Sequence, residues 1–247
     1  MNNNIIIFGF GVIGTEILYE IVKKNRSKKL NINIVEKDFL NFPGGVAYSE
    51  KNSKFGFFNN PLRLSNNEFK SWVKNKNNQK KIISYFYLKK NLNLKKWLNK
   101  NSSRNFKKFV NLNEIYLPRL TYSLYLSDKF KKIVKILKDK RFIKVNFFQG
   151  ELKNIRKLTL KNQYLCKIEN LQKKNNFLKN NTVIKKIQKK NISLKENKYI
   201  KGDSIILGLG IIPPKNVNKK KNFISKNNIH EFYDEGSTNN LLNKINE

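Results

Sequence analysis

The stretch Gly9-Phe10-Gly11-Val12-Ile13-Gly14 constrains this chain more than any other feature. It follows the apolar run Ile5-Ile6-Ile7-Phe8, which reads as a buried parallel strand ending in glycine. From about Gly14 to Lys24, Ile17, Leu18, Ile21 and Val22 recur at helical spacing, and Lys23 and Lys24 suit a last turn. Ile32, Ile34 and Val35 predict a second strand ending at Glu36, which completes a βαβ unit. Each glycine then has its own task. Gly9 permits the tight turn, Gly11 lets a pyrophosphate approach the backbone, and Gly14 lets helix and strand pack closely. The helix start, around Val12 and Ile13, offers unpaired N–H groups and a positive dipole end to phosphates. Glu36 stands 22 residues past Gly14, near the spacing at which an acid accepts hydrogen bonds from an adenosine ribose. An acid there disfavours a 2′-phosphate. Thr15-Glu16 places a carboxylate in the expected first turn, read as a dipole-compatible helix residue and not as a ligand contact.

Composition removes several alternatives. With one Cys (Cys166) and one His (His230), the chain can build neither a disulfide framework nor a Cys/His zinc cage. A triad resting on His230 in a polar tail is equally disfavoured. No run reaches the ~18 apolar residues of a membrane span, and Met1-Asn2-Asn3-Asn4 is no secretion signal. The expectation is a soluble, cytoplasmic protein. A net charge of +35 invites a nucleic-acid reading. Yet only six basic residues are Arg, the lysines are spread along the chain, and no RNA-binding or helix-turn-helix pattern accompanies them. Abundant Asn, Lys, Ile and Phe beside a single alanine (Ala47) point to compositional bias, so no specific nucleic-acid partner is expected. Against that background the scarce residues stand out where they gather: Pro43-Gly44-Gly45 with Ala47, Pro61 with Arg63, Pro118-Arg119, and Gly208-Gly210 with Pro213-Pro214.

Residues 41–65 read as irregular, and 66–112 as broken helical patterns around Phe69, Trp72, Ile82, Tyr85 and Trp97. Pro118 suits a first helical position, with a helix to about Lys138 striped by Leu120, Leu124, Phe130, Ile133, Val134 and Leu137. Arg119, Tyr122 and Ser123 share the opposite face, to line a pocket or meet solvent. Strand candidates follow at 141–148, 152–158, 164–168 and 192–194, the later ones as a small antiparallel excursion. Ser204-Ile205-Ile206-Leu207 reads as another buried strand ending in glycine. If it runs parallel to Ile5–Phe8, Gly208 and Gly210 lie beside the first glycine turn. Trp72, Trp97, most Phe residues and Cys166 read as core.

Four ordered blocks resemble a known family. Val46-Ala47-Tyr48-Ser49, then Phe58-Asn59-Asn60-Pro61 with Arg63, Ser65, Phe69 and Trp72, look like FAD/NAD(P)-binding proteins of the flavoprotein class with two dinucleotide domains. Tyr116-Leu117-Pro118-Arg119 with Tyr122, Tyr125 and Leu126 is similar to that family's next block. Gly202 to Gly210 with Pro213-Pro214 resembles its late return to the flavin. The resemblance implies an α/β Rossmann-like FAD-binding domain with a parallel central sheet, an antiparallel β excursion and a helical insertion. It implies FAD as cofactor, NAD(P)H as electron donor and a small-molecule substrate. It assigns Gly45, Tyr48, Asn59 and Asn60 to a loop around the flavin. Two departures stand out: the usual alanine-threonine-glycine turn is Gly208-Leu209-Gly210 here, and no second glycine fingerprint with a following helix is found.

The expected organisation is an FAD-binding domain over 1–214, mainly helical across 66–138, and a polar segment over 215–247 that could begin a nicotinamide-binding half. The leading functional expectation is an FAD-dependent, monooxygenase-like oxidoreductase, with the nicotinamide cofactor supplied through a missing domain or partner. No side chain stands out as an acid or base, which suits flavin chemistry. The alternatives are a flavin- or nucleotide-binding protein without turnover, and a basic binder of RNA or membrane surfaces.

Overall fold

The computed structural model describes residues 3–49, 56–89, 92–103, 105, 107–159, 162–173, 197–208 and 210. The strand candidate at 192–194, Leu209, Pro213-Pro214, His230 and the segment 215–247 lie outside them. The described residues form two compact units, divided at 46/47 and at 128/129.

The first unit is built on one six-stranded sheet: β1 (Asn3–Phe8), β2 (Leu30–Glu36), β3 (Ile143–Leu158), β4 (Gln163–Lys173), β5 (Asn197–Gly202) and β6 (Ser204–Leu207), in the order β5-β4-β3-β2-β1-β6. β1 is parallel to both β2 and β6, and β2 is parallel to β3, while β3-β4-β5 is antiparallel. This is the α/β, Rossmann-like arrangement the βαβ pattern predicts. β1 lies between two parallel neighbours, and its Ile6, Ile7 and Phe8 are buried, as an unbroken apolar run requires.

Helix α1 (Val12–Lys24) lies on one sheet face. Leu18 and Val22 join Ile7, Ile32, Ile34 and Phe147 there, with Ile17 and Ile21 packed alongside. The helix starts two residues earlier than its apolar stripe suggests. Gly11 is the N-cap and accepts the first helical bond from Thr15 N–H at 3.1 Å. Glu16 therefore falls beyond the first turn, where it pairs with the buried Lys129 ammonium at 2.5 Å. The opposite face packs Ile6, Phe8 and Val35 against Cys166 and Ile168 of β4. The antiparallel strands curl back toward β1: a Cβ at Gly202 would meet Ile6 at 2.6 Å, and Asp203 bonds the Asn4 backbone.

The two strand candidates at 141–148 and 152–158 are one strand. β3 stays continuous through bulges between Gln149 and Glu151 and between Leu152 and Asn154, where it changes from parallel to antiparallel partners. β5 was not foreseen. Its Asn-Lys-Tyr-Ile-Lys-Gly sequence carries too few apolar residues to show strand periodicity.

A short helix, α2 (Gly45–Tyr48), spans the 46/47 division, and the second unit holds α3 (Asn67–Lys74), α4 (Lys76–Leu88), α5 (Leu92–Asn101) and the start of α6 (Leu120–Asp139). Asparagine explains the breaks in its helical pattern. Asn66 Oδ1 accepts from Phe69 N–H at 2.8 Å, and Asn75 closes α3 while capping α4 through Asn77 and Asn78 N–H. Pro118 is not the first helical residue: it pairs in extended conformation with Phe57, and α6 opens at Leu120. Tyr122 is buried among Tyr48, Phe58, Phe69 and Tyr125, so it belongs to the packed face of α6 and not to an open one.

Candidate functional site

The carboxyl ends of β1, β2 and β6 converge on the glycine turn. Gly9 has φ +85°, the left-handed region that favours glycine, and its N–H donates to Val35 O at 2.9 Å. A Cβ on Gly14 would collide with the Gly9 carbonyl oxygen and lie 3.1 Å from its carbon. Helix and strand can therefore meet only because the side chain is missing. Gly208 N–H donates to Phe8 O at 2.7 Å, and a Cβ there would lie 3.4 Å from Gly9 O and 3.5 Å from Gly14 N. The register of β6 on β1 thus sets Gly208 beside the turn. Gly210 has φ +70° and is exposed.

Gly45 closes the other side. A Cβ on Gly11 would lie 3.2 Å from Gly45 Cα, and one on Gly45, at φ +62°, would lie 3.1 Å from Gly11 Cα. Two bare backbones face one another at the start of α1. No side chain caps that helix and no acid occupies its first turn, which leaves the N–H groups of Val12, Ile13 and Gly14 without an intrahelical partner. The arrangement is a glycine-lined backbone cradle at a helix start, a kind of site that suits phosphate groups.

Two contacts that hold this cradle escape the glycine pattern. Phe10 N–H donates to Glu36 Oε2 at 2.5 Å, while Glu36 Oε1 accepts from Asp38 N–H at 3.0 Å. Glu36 therefore pins the turn itself. An ionised carboxylate offers about four acceptor sites, so each oxygen retains one for a sugar hydroxyl. The second contact is the Phe10 ring, which stacks on Phe42 at 5.2 Å and meets Phe147 edge-on at 5.3 Å. Its apolar character between two glycines was the available signal, and periodicity alone does not read it.

The expected site residues fall in both units. Gly9, Gly11, Val12, Ile13, Gly14, Glu36, Gly45 and Gly208 gather in the first unit. Tyr48, Asn59 and Asn60 belong to the second. There Tyr48 packs on Tyr122, and Asn59 and Asn60 are exposed, with Asn59 accepting a long 3.5 Å bond from Arg119. Arg119 Nε also donates to Phe57 O at 3.0 Å, so this guanidinium is a brace within its unit. Cys166 is a free thiol, fully buried, and burial pushes its pKa up to about 11, the reverse of an activated nucleophile. Among the described residues no cluster of His, Cys, Asp or Glu is suited to a metal, and no helix is long and apolar enough to cross a membrane.

Sheet topology, glycine turn and terminal acid together define a Rossmann-like α/β protein. The family model described as FAD-NAD(P)-binding matches residues 6–173, and the chain belongs to that family. No curated protein sequence matches it. Among solved structures it is similar to DfoA bound to FAD, described as the desferrioxamine biosynthetic pathway cadaverine monooxygenase of Erwinia amylovora. Identity is 13% and the TM-score 0.37; the match covers 92% of this chain and 41% of that one, so this chain spans about two-fifths of that protein's length.

Proposed function

We propose that this chain binds FAD, with the pyrophosphate at the Gly9–Gly14 turn, and serves as the flavin-binding part of an oxidoreductase reduced by NAD(P)H. One observation carries the reading. The bare backbones of Gly11 and Gly45 face each other at an uncapped helix start in a chain of the FAD-NAD(P)-binding family. Val12, Ile13 and Gly14 N–H groups would hold the diphosphate, and Glu36 would accept from the ribose while its bonds to Phe10 and Asp38 fix its position. Gly208 keeps the floor of the site free of side chains. Bound FAD would supply the two-electron chemistry. Assignment of Tyr48, Asn59 and Asn60 to a loop around the flavin, and of Gly210 to the late glycine turn that returns to it, rests on the sequence resemblance.

The test is spectroscopic. The purified chain should take up FAD and show flavin absorption, and Gly11→Leu should lose uptake while keeping its circular dichroism spectrum. A correctly folded wild-type chain that takes up no FAD overturns the proposal. Bleaching of the bound flavin by NADH or NADPH supports the oxidoreductase reading. Uptake without bleaching by either leaves a flavin-binding protein without turnover, the second reading.

A further inference from the structure

Opposite the glycine turn, at the amino ends of β2 and β3, two distant segments bring their lysines together. Residues 23–29 and 135–144 hold ten basic residues in 17 positions, against a single acid, Asp139. The chain average is 52 basic residues in 247, so these segments are more than twice as basic as the chain as a whole. Three sets of contacts make it one surface. Lys140 Nζ donates to Val22 O, Lys23 O and Asn25 O at 2.9, 3.1 and 2.5 Å. Leu30 N–H donates to Phe142 O at 3.1 Å, and β2 and β3 hold Asn31 opposite Lys144. The C-terminal ends of α1 and α6 therefore share one pole of the first unit.

Lys23, Lys24, Arg26, Lys28, Lys29, Lys135, Lys138, Arg141 and Lys144 are all exposed there. Lys24 pairs with Glu20, while Lys140 is spent on the helix end. The two helix termini contribute only about half a negative charge each, far less than the lysines carry. None of the exposed large apolar side chains falls in either segment, so nothing here would enter a bilayer.

We infer that this pole docks the phosphate backbone of a nucleic acid, independent of base sequence. Lysine point charges without base-reading forks suit phosphates and carry no sequence code. The pole lies at the amino edge of the sheet and the glycine turn at the carboxyl edge, so polyanion and dinucleotide would not compete. This inference does not depend on the flavin reading.

The experiment measures binding of the full chain to a fluorescent RNA strand and a fluorescent DNA duplex by anisotropy. It compares wild type with two variants of equal charge change. One is Lys28→Ala/Lys29→Ala/Lys138→Ala/Arg141→Ala; the other is Arg156→Ala/Lys157→Ala/Lys173→Ala/Lys201→Ala, on β3 to β5. The pole variant should bind at least about tenfold more weakly, with a salt slope lower by up to ~0.9 per lost phosphate contact on duplex and ~0.7 on single strands. The second variant should bind within about twofold of wild type. Unchanged thermal unfolding of both variants shows that folding is not the cause. Which probe binds more tightly distinguishes RNA from DNA as the source of the backbone. Equal losses in the two variants, or none in either, overturn the inference, as does tighter binding to phosphatidylserine vesicles than to both nucleic acids.

Discussion

Gly14 and Thr15 are neighbours on α1, and the structure predicts opposite responses from them. A methyl group at Gly14 meets the Gly9 carbonyl, a backbone group that cannot turn aside. Gly14→Ala should cost toward the upper end of the ~1–3 kcal/mol range for overpacking, read from urea unfolding. Thr15 is fully buried, and its Oγ1 has no hydrogen-bond partner among the described residues. Thr15→Val keeps the shape and removes the stranded hydroxyl, so it should be neutral or stabilising by up to about 1 kcal/mol. A Thr15→Val variant markedly weaker than wild type would show that the hydroxyl finds a partner. The roles of Gly9 and Gly14 were legible because glycine is scarce here and the motif has strand before and helix after. Glu36 was legible in position, while its bonds to Phe10 and Asp38 depend on how the chain doubles back, which spacing does not encode.

Elements show the same division. β1, β2, α1 and most of α6 announce themselves through apolar periodicity, because each buries a stripe or a whole strand. β6 forms as expected, but it is not the buried strand its apolar run suggests, since none of its residues is fully buried and Leu207 is 53% exposed. The start of α6 did not, because Pro118 carries two opposing signals: a helix-compatible φ and fitness for an extended edge, where it pairs with Phe57. The joints between elements are polar and were invisible. Lys140 closes the end of α1 by donating to three carbonyls that the helix cannot satisfy itself. Lys140→Met should keep the stem packing and lose about 1.5–3 kcal/mol, the scale of hydrogen bonds to a charged group. Amide exchange should quicken first at the last turn of α1. Asp203 is the matching joint on the opposite sheet face, accepting from Asn4 N–H at 2.7 Å and Gln163 Nε2 at 2.8 Å. These bonds, the Asn4 one first, hold its carboxyl below its ordinary value of 3.8. A depressed folded-state value gives stability above the unfolded value and loses it as pH falls through the folded one. The stability advantage of wild type over Asp203→Asn should therefore be full above ~pH 5 and shrink toward ~pH 2. An advantage constant across that window would show that charge on Asp203 is not its source.

For the whole molecule the dominant fact is a net charge of +35, and the helix-end pole carries ten of the 52 basic residues. Ion pairs do little to offset it: Lys24–Glu20 and Arg63–Glu114 are exposed pairs of the kind worth ~0–1 kcal/mol. Like charges crowded at the helix-end pole repel across distances that salt screens, with a Debye length of ~30 Å at 0.01 M and ~10 Å at 0.1 M. Self-repulsion destabilises the compact state, so the melting temperature should rise with added sodium chloride over this range. The pole variant, with four charges removed, should start higher and gain less from salt. Nucleic acid at low salt should raise the wild-type melting temperature as well, because a ligand of the folded state stabilises it by mass action. Added salt should then erase that rise while strengthening the free protein, and these opposite signs separate a docked polyanion from simple screening. If duplex and sodium chloride act additively at the pole, the lysines there are only solvated charge, and the bias of the coding sequence is their whole explanation.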